Sequence, residues 1–148
     1  MPRIERSARV VWEGNVARGA GTIRADTGAF SELGFSLPTR VGQSEGKTSP
    51  EELLAAAHGG CLTMSLASEL SKAGTPPGHL EVGCRIVMDE VEGRGHQIVA
   101  SHVEAVVAVE GIDDDALQIA LAEADEGCPF SQLLRHAGVD VHVAARRA

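Results

Sequence analysis

The sequence lacks an excess of positive charge, a long apolar run and a dense set of cysteines. Its 148 residues carry 13 Lys and Arg against 21 Asp and Glu, a formal net charge of −8. That balance disfavours the phosphate backbone of nucleic acids and anionic membrane surfaces as partners. No apolar stretch reaches the ~18 residues of a transmembrane helix. The segment from Met1 to Trp12 sets Arg3, Arg6 and Arg9 and Glu5 among its short apolar residues, so it has no uninterrupted h-region of a secretory signal. We therefore expect a cytoplasmic protein with neither a nucleic acid nor a membrane as partner. Cys61, Cys84 and Cys128 are the only cysteines. In a reducing compartment they argue against a structural disulfide framework and leave a transient, catalytic disulfide open. They are also far apart, and the six histidines form no HxxxH pair, so no metal site is expected. No GxGxxG or GxxxxGK[ST] run follows a strand, and nucleotide cofactors are not implied.

What is present fits one domain over residues 1–148, with 43% apolar residues to build a core. The order strands, helix, strands, helices, strand reads as an α+β chain. Arg9–Trp12, Gly21–Arg24 and Gly34–Leu37 are predicted short strands of an antiparallel meander. Ser49-Pro50-Glu51-Glu52 has the signature of a helix start, with Ser49 as N-cap, Pro50 in the first helical position and Glu52 closing a capping box. That helix should run to about Lys72, where Gly74 and Pro76-Pro77 stop it. From Leu53 to Ala67 it carries no charge, which predicts a central helix buried on most of its sides. Gly59-Gly60 in its middle costs about 1 kcal/mol per glycine against alanine, so something is expected to approach its backbone closely, such as another helix.

Two alternating stretches follow. Val82, Cys84, Ile86 and Met88 share one face of Glu81–Val91, and Val99, Val103, Ala105, Val107 and Val109 share one face of Gln97–Glu110. Both read as half-buried antiparallel strands. Asp113-Asp114-Asp115 then starts an amphipathic helix to about Glu126, Cys128-Pro129 opens a short helix through Leu134, and Val139–Val143 forms a last strand.

Taken by themselves, Cys61 and Cys128 read either as buried structural thiols or as nucleophiles. Cys84 alternates with core residues and reads as core. A nucleophilic thiol in an apolar helix would be pushed away from ionisation by desolvation and so needs a cation. Arg18 and Arg40 are the upstream candidates, and Glu51 could hold an arginine fork against the sulfur; otherwise these are a solvated arginine and a helix-start carboxylate.

The run Gly46-Lys47-Thr48-Ser49-Pro50-Glu51-Glu52-Leu53-Leu54-Ala55-Ala56-Ala57-His58-Gly59-Gly60-Cys61, followed by Leu62-Thr63-Met64-Ser65-Leu66, resembles the core motif of the osmotically inducible protein C (OsmC) and organic hydroperoxide resistance family. Gly127-Cys128-Pro129-Phe130 resembles its second signature, and Val11-Trp12-Glu13-Gly14 and Val109-Glu110-Gly111-Ile112-Asp113 extend the likeness along the chain. The chain departs from many relatives in having no tyrosine and in carrying glycines at 59 and 60.

The resemblance implies strongly curved antiparallel sheets with two central helices in an intertwined two-fold homodimer. It implies a thiol peroxidase for organic hydroperoxides, with Cys61 as peroxidatic cysteine, Cys128 as resolving cysteine, Glu51 as the orienting carboxylate and Arg40, ahead of Arg18, as the arginine. No cofactor is implied beyond an external dithiol, a lipoyl-protein or thioredoxin-like reductant, and Leu54, Leu62 and Phe130 would wall an apolar substrate pocket. Glu51 and Cys61 are ten residues apart, about 15 Å of rise on one helix, so they could meet only across a two-fold axis, in composite sites. The rival reading is an OsmC-like dimer that binds a ligand or records oxidation without turnover.

Overall fold

Period-two alternation and helix-start signals together shape this chain, and the computed structural model describes residues 2–148. The elements are β1 (Ala8–Glu13), β2 (Ala20–Ala25), β3 (Leu33–Phe35), α1 (Leu37–Val41), α2 (Pro50–Lys72), β4 (His79–Val91), β5 (Gly95–Ala108), α3 (Asp114–Gly127), α4 (Pro129–His136) and β6 (Asp140–Arg147). The chain is therefore α+β, with two three-stranded sheets and four helices. It divides into two compact units, one up to Pro50 and one from Glu51 to Ala148. Among the described residues no helix is long and apolar enough to cross a membrane.

The amino-terminal unit is the expected meander, β1 antiparallel to β2 and β2 to β3. Gly21 lies opposite Trp12 on one side and Phe35 on the other. A Cβ there would come within 2.5 Å of the Phe35 ring, so the bare backbone lets the two aromatic rings meet, tilted, with centroids 5.5 Å apart. The expected third strand stops at Phe35, and Leu37 instead opens α1. Ser36 caps that helix by accepting from the Thr39 N–H, and Ser36 and Thr39 share a second bond between their hydroxyls at 2.7 Å. With five residues, α1 is too short to print a helical period on the sequence.

In the carboxy-terminal unit β4 and β5 form a long antiparallel hairpin. β6 lies on the other side of β5 and runs parallel to it, with His102 beside His142 and Val103 beside Val143. This corrects the expectation of purely antiparallel sheets. A parallel neighbour needs a crossover, and α3 and α4 are that crossover. Val103, Ala105 and Val107 point inward from β5, Leu117, Ala120, Leu121 and Ala124 from α3, and Leu62, Leu66 and Leu70 from α2.

The last three, with His58, form one buried stripe along α2 at intervals of four. Away from it Gly60 stands in open space and Met64 is 70% exposed, so one stripe is buried rather than most sides. Burying three leucines contributes about 5–9 kcal/mol, which outweighs the ~2 kcal/mol that two glycines cost a helix. Within the chain, the close approach at Gly59 comes from strand β4, since a Cβ on Gly59 would stand 3.2 Å from the Cβ of Cys84. Gly59→Val should therefore lower stability by about 1–3 kcal/mol through overpacking, while Gly60→Ala should not. Urea midpoints of the two variants test this, and equal midpoints would refute the assignment of Cys84 as the neighbour.

Candidate active site

Cys128 occupies the junction of two helices, ending α3 and preceding Pro129, which opens α4. Its N–H donates to the Asp125 carbonyl at 3.2 Å and its carbonyl accepts from the Gln132 N–H at 3.1 Å. The main chain at the thiol is thus held from both sides. Cys128 is fully buried, Cys61 is half-buried on α2, and both are free thiols.

The fold sets these two thiols near each other although 67 residues separate them, close enough for Cys128 to act on the Cys61 thiol. Burial, chiefly, and then the Cys128 contact push the Cys61 thiol above the ordinary cysteine range. The Phe130 N–H, in the first turn of α4, acts against them by favouring the thiolate. That N–H is one of the donors a helix start leaves without an intrahelical partner. It does not reverse the direction, so ionising Cys61 requires a further positive charge.

Glu51 lies in the first turn of α2, half-buried and on the same helix as Cys61. Arg40 lies in the last turn of α1 and is exposed. Within the amino-terminal unit it lines a cavity of about 210 Å³ whose walls include Trp12, Phe35 and Pro50. Arg18 lines a different cavity of about 290 Å³, beside Thr39 and Lys47. One expected pocket wall is corrected: Leu62, 1% exposed, is part of the closed core and cannot face a substrate. Phe130 and Cys61 pack against that core from its edge.

A buried polar group missing from the sequence reading adjoins the thiols. His58 is fully buried on α2, with Nδ1 2.8 Å from the Ser101 hydroxyl of β5 and Nε2 2.8 Å from the Ser131 hydroxyl of α4. Cys84, as expected, packs half-buried against the core, and its sulfur sits 3.6 Å from the Ser101 oxygen. Burial holds the imidazole below the ordinary histidine range, with the Asp125 carboxylate acting against that and Arg135 with it. Asp125 and Arg135 form an ion pair between α3 and α4, and the other Asp125 oxygen, Oδ1, is buried without a hydrogen-bond partner. The available signal was that His58 is the one titratable side chain other than Cys61 between Leu53 and Ala67.

This α+β fold with its thiol pair is that of an OsmC-like protein. The family model described as OsmC-like protein matches residues 42–144, and the chain belongs to that family. It is 33% identical over 132 residues to the peroxiredoxin OsmC of Escherichia coli (strain K12), covering 89% of this chain and 91% of that one. It is 28% identical over 119 residues to an organic hydroperoxide resistance protein-like protein of Mycoplasma pneumoniae, covering 78% and 79%. Among solved structures it is similar to the organic hydroperoxide resistance protein OhrB of Bacillus subtilis, at a TM-score of 0.70 and 25% identity over 95% of this chain and 98% of that one. An organic hydroperoxide resistance protein from Elizabethkingia anophelis shares the fold at a TM-score of 0.78 and 19% identity, over all of both chains.

Two shifted groups, His58 and Cys61, make stability pH-dependent on both sides of neutrality. For His58 the unfolded chain takes up a proton more readily, so its contribution is complete above about pH 6.5 and is lost as pH falls through the lowered folded-state value. For Cys61 the unfolded thiol ionises first, so its contribution is complete below about pH 8.5 and is lost as pH rises through the raised value. Urea midpoints across about pH 5 to 10 should show the acid limb flattened in His58→Gln and the alkaline limb flattened in Cys61→Ser. Limbs unchanged in these variants would assign them to other groups.

Proposed function

We propose that the protein is a cysteine-based peroxidase that reduces organic hydroperoxides. The observation that carries this reading is the proximity of the Cys61 and Cys128 thiols, brought from two elements distant in sequence; the names of its relatives, a peroxiredoxin and organic hydroperoxide resistance proteins, support it. The Cys61 thiolate attacks the terminal oxygen of the hydroperoxide, the O–O bond breaks, and the alcohol leaves with a proton. Cys61 becomes a sulfenic acid, which condenses with the Cys128 thiol to give a disulfide and water. An external dithiol, from a lipoyl-protein or a thioredoxin-like protein, then reduces the disulfide and is itself oxidised. The cycle uses no metal, haem or flavin.

Because burial pushes the Cys61 thiol up, the reading needs a cation. We assign Arg40, whose planar fork can supply charge and directed hydrogen bonds together, with Glu51 orienting it. About 15 Å of helix rise separates Glu51 from Cys61 within one chain, and α2 has an apolar flank outside the core at Gly60 and Met64. Both favour a homodimer in which Glu51 of one copy serves Cys61 of the other. Each copy is then one OsmC-like domain of a cytoplasmic enzyme. A raised thiol would also suit a ligand-binding or redox-sensing dimer without turnover, which peroxide-dependent consumption of a dithiol separates from the enzyme.

Cys61→Ser should lose that consumption by on the order of 10³-fold or more, since no other nucleophile replaces it, and Cys84→Ser should keep most of it. Cys128→Ser should react once and accumulate sulfenic or over-oxidised Cys61, visible by mass spectrometry. Equal losses at Cys61 and Cys84, or sustained turnover without Cys128, would sink the assignment. Arg40→Lys and Glu51→Gln should each slow Cys61 oxidation, by roughly 10²-fold for the arginine. The double variant should lose much less than the product of the two single losses, because the pair acts as a unit. Multiplicative losses would separate the two residues, and an unimpaired Arg40→Ala would move the role to Arg18.

A further inference from the structure

We propose that His58 is a positioning residue, a buried staple that sets α4 against α2 and so sets the reach of the Cys128 sulfur to Cys61. The inference rests on the peroxidase reading above and concerns its second step, disulfide formation. His58 precedes Cys61 by three residues on α2, and Ser131 follows Cys128 by three on α4. The His58–Ser131 bond and the thiol contact are therefore neighbouring rungs between the same two elements, one helical turn apart. The opposite edge of the imidazole is tied to Ser101 on β5, so the ring cannot turn to follow α4 if that helix drifts.

Beyond the Phe130 ring at the edge of the core and a bond from the Gln132 amide to the Glu126 carbonyl, α4 has few anchors. It has eight residues, and only Ser131 and Leu134 are buried. One of those two anchors is apolar and non-directional; the other is a hydrogen bond at 2.8 Å between atoms fully removed from water. A bond of that kind specifies position, because either group left unpaired in the interior would be strongly unfavourable. Asp125 and Arg135 add an ion pair that spans Cys128 from α3 to α4. A disulfide tolerates little error, needing its Cα atoms within about 4.4–6.8 Å and a narrow dihedral, so a small shift of α4 is enough to weaken it.

The test is the equilibrium of the Cys61–Cys128 disulfide against a glutathione buffer, in the unsubstituted protein, Ser131→Ala and Ser101→Ala. Both substitutions remove one hydroxyl from the same histidine at a fully buried position, but only Ser131 belongs to α4. The staple requires the equilibrium constant to fall about tenfold in Ser131→Ala, equivalent to about 30 mV, and to change much less in Ser101→Ala at matched urea stability. Equal falls in the two variants, or no fall in either, overturn the inference and leave the peroxidase reading standing. Absence of a Cys61–Cys128 disulfide in the unsubstituted protein overturns the peroxidase reading itself. Nitrogen NMR of His58 in the unsubstituted protein gives a second readout that does not depend on any variant folding. The Nε2 resonance should move between dithiol and disulfide states while Nδ1 stays fixed, and identical spectra would overturn the staple.

Discussion

Removal of water from around the Cys61 sulfur is the constraint to which the rest of the structure answers. Cys61 lies against a core of leucines and valines, and burial and the neighbouring thiol both favour its protonated form. An interior of that kind serves selectivity and the exclusion of side reactions, yet it makes the reactive species costly. Only directed donors and charge can offset that. The Phe130 N–H at the start of α4 is one donor already in place, and it comes from the helix that Cys128 opens. The element that carries Cys128 at its start therefore also offsets part of the effect of burial on Cys61.

Short as it is, α4 combines apolar contacts at Phe130 and Leu134 with the buried hydrogen bond of Ser131. Hydrophobic packing is tolerant of small displacements, whereas hydrogen bonds with both partners buried are not. Near the thiols the protein sets Ser131, His58 and Ser101 among the leucines and valines of the core. Asp125, with one oxygen on Arg135 and the other without a protein partner, keeps a charge near this junction. A protein selected for stability alone would favour an apolar residue there.

Much of this was legible in the sequence, for local reasons. Ser49-Pro50 marked the start of α2 within a residue, because a proline in the first helical position and acids after it have few other uses. Val103, Ala105 and Val107 gave the inner face of β5, because a strand with one buried face must alternate. Cys84 was read correctly as core from that same alternation. What stayed hidden depends on contacts between distant segments. Alternation along Val139–Val143 fixes a strand but not its direction, so the parallel pairing of β6 with β5 could not be read. The uncharged stretch of α2 signalled burial without saying that one stripe would face the core. His58 stood out as a polar residue in an apolar run, but its partners, Ser101 and Ser131, lie 43 and 73 residues away. Cys61 and Cys128 were paired by likeness to a family, and the reason they meet is visible only in the fold.

The parallel placement of β6 also bears on how the chain acquires its structure. β4 and β5 can zip up locally as a hairpin, but β6 must wait until α3 and α4 have crossed over, which raises the sequence separation of its contacts and slows its arrival. Cys128 is carried inside that crossover, whereas Cys61 is on a helix whose start signals are all local. A nascent chain therefore passes through an interval in which α2 has formed and its sulfur has no neighbour to condense with. A lone thiol in that interval is open to the irreversible part of the oxidation ladder, so the oxidation state in which Cys61 reaches the finished fold depends on how quickly the last strand docks.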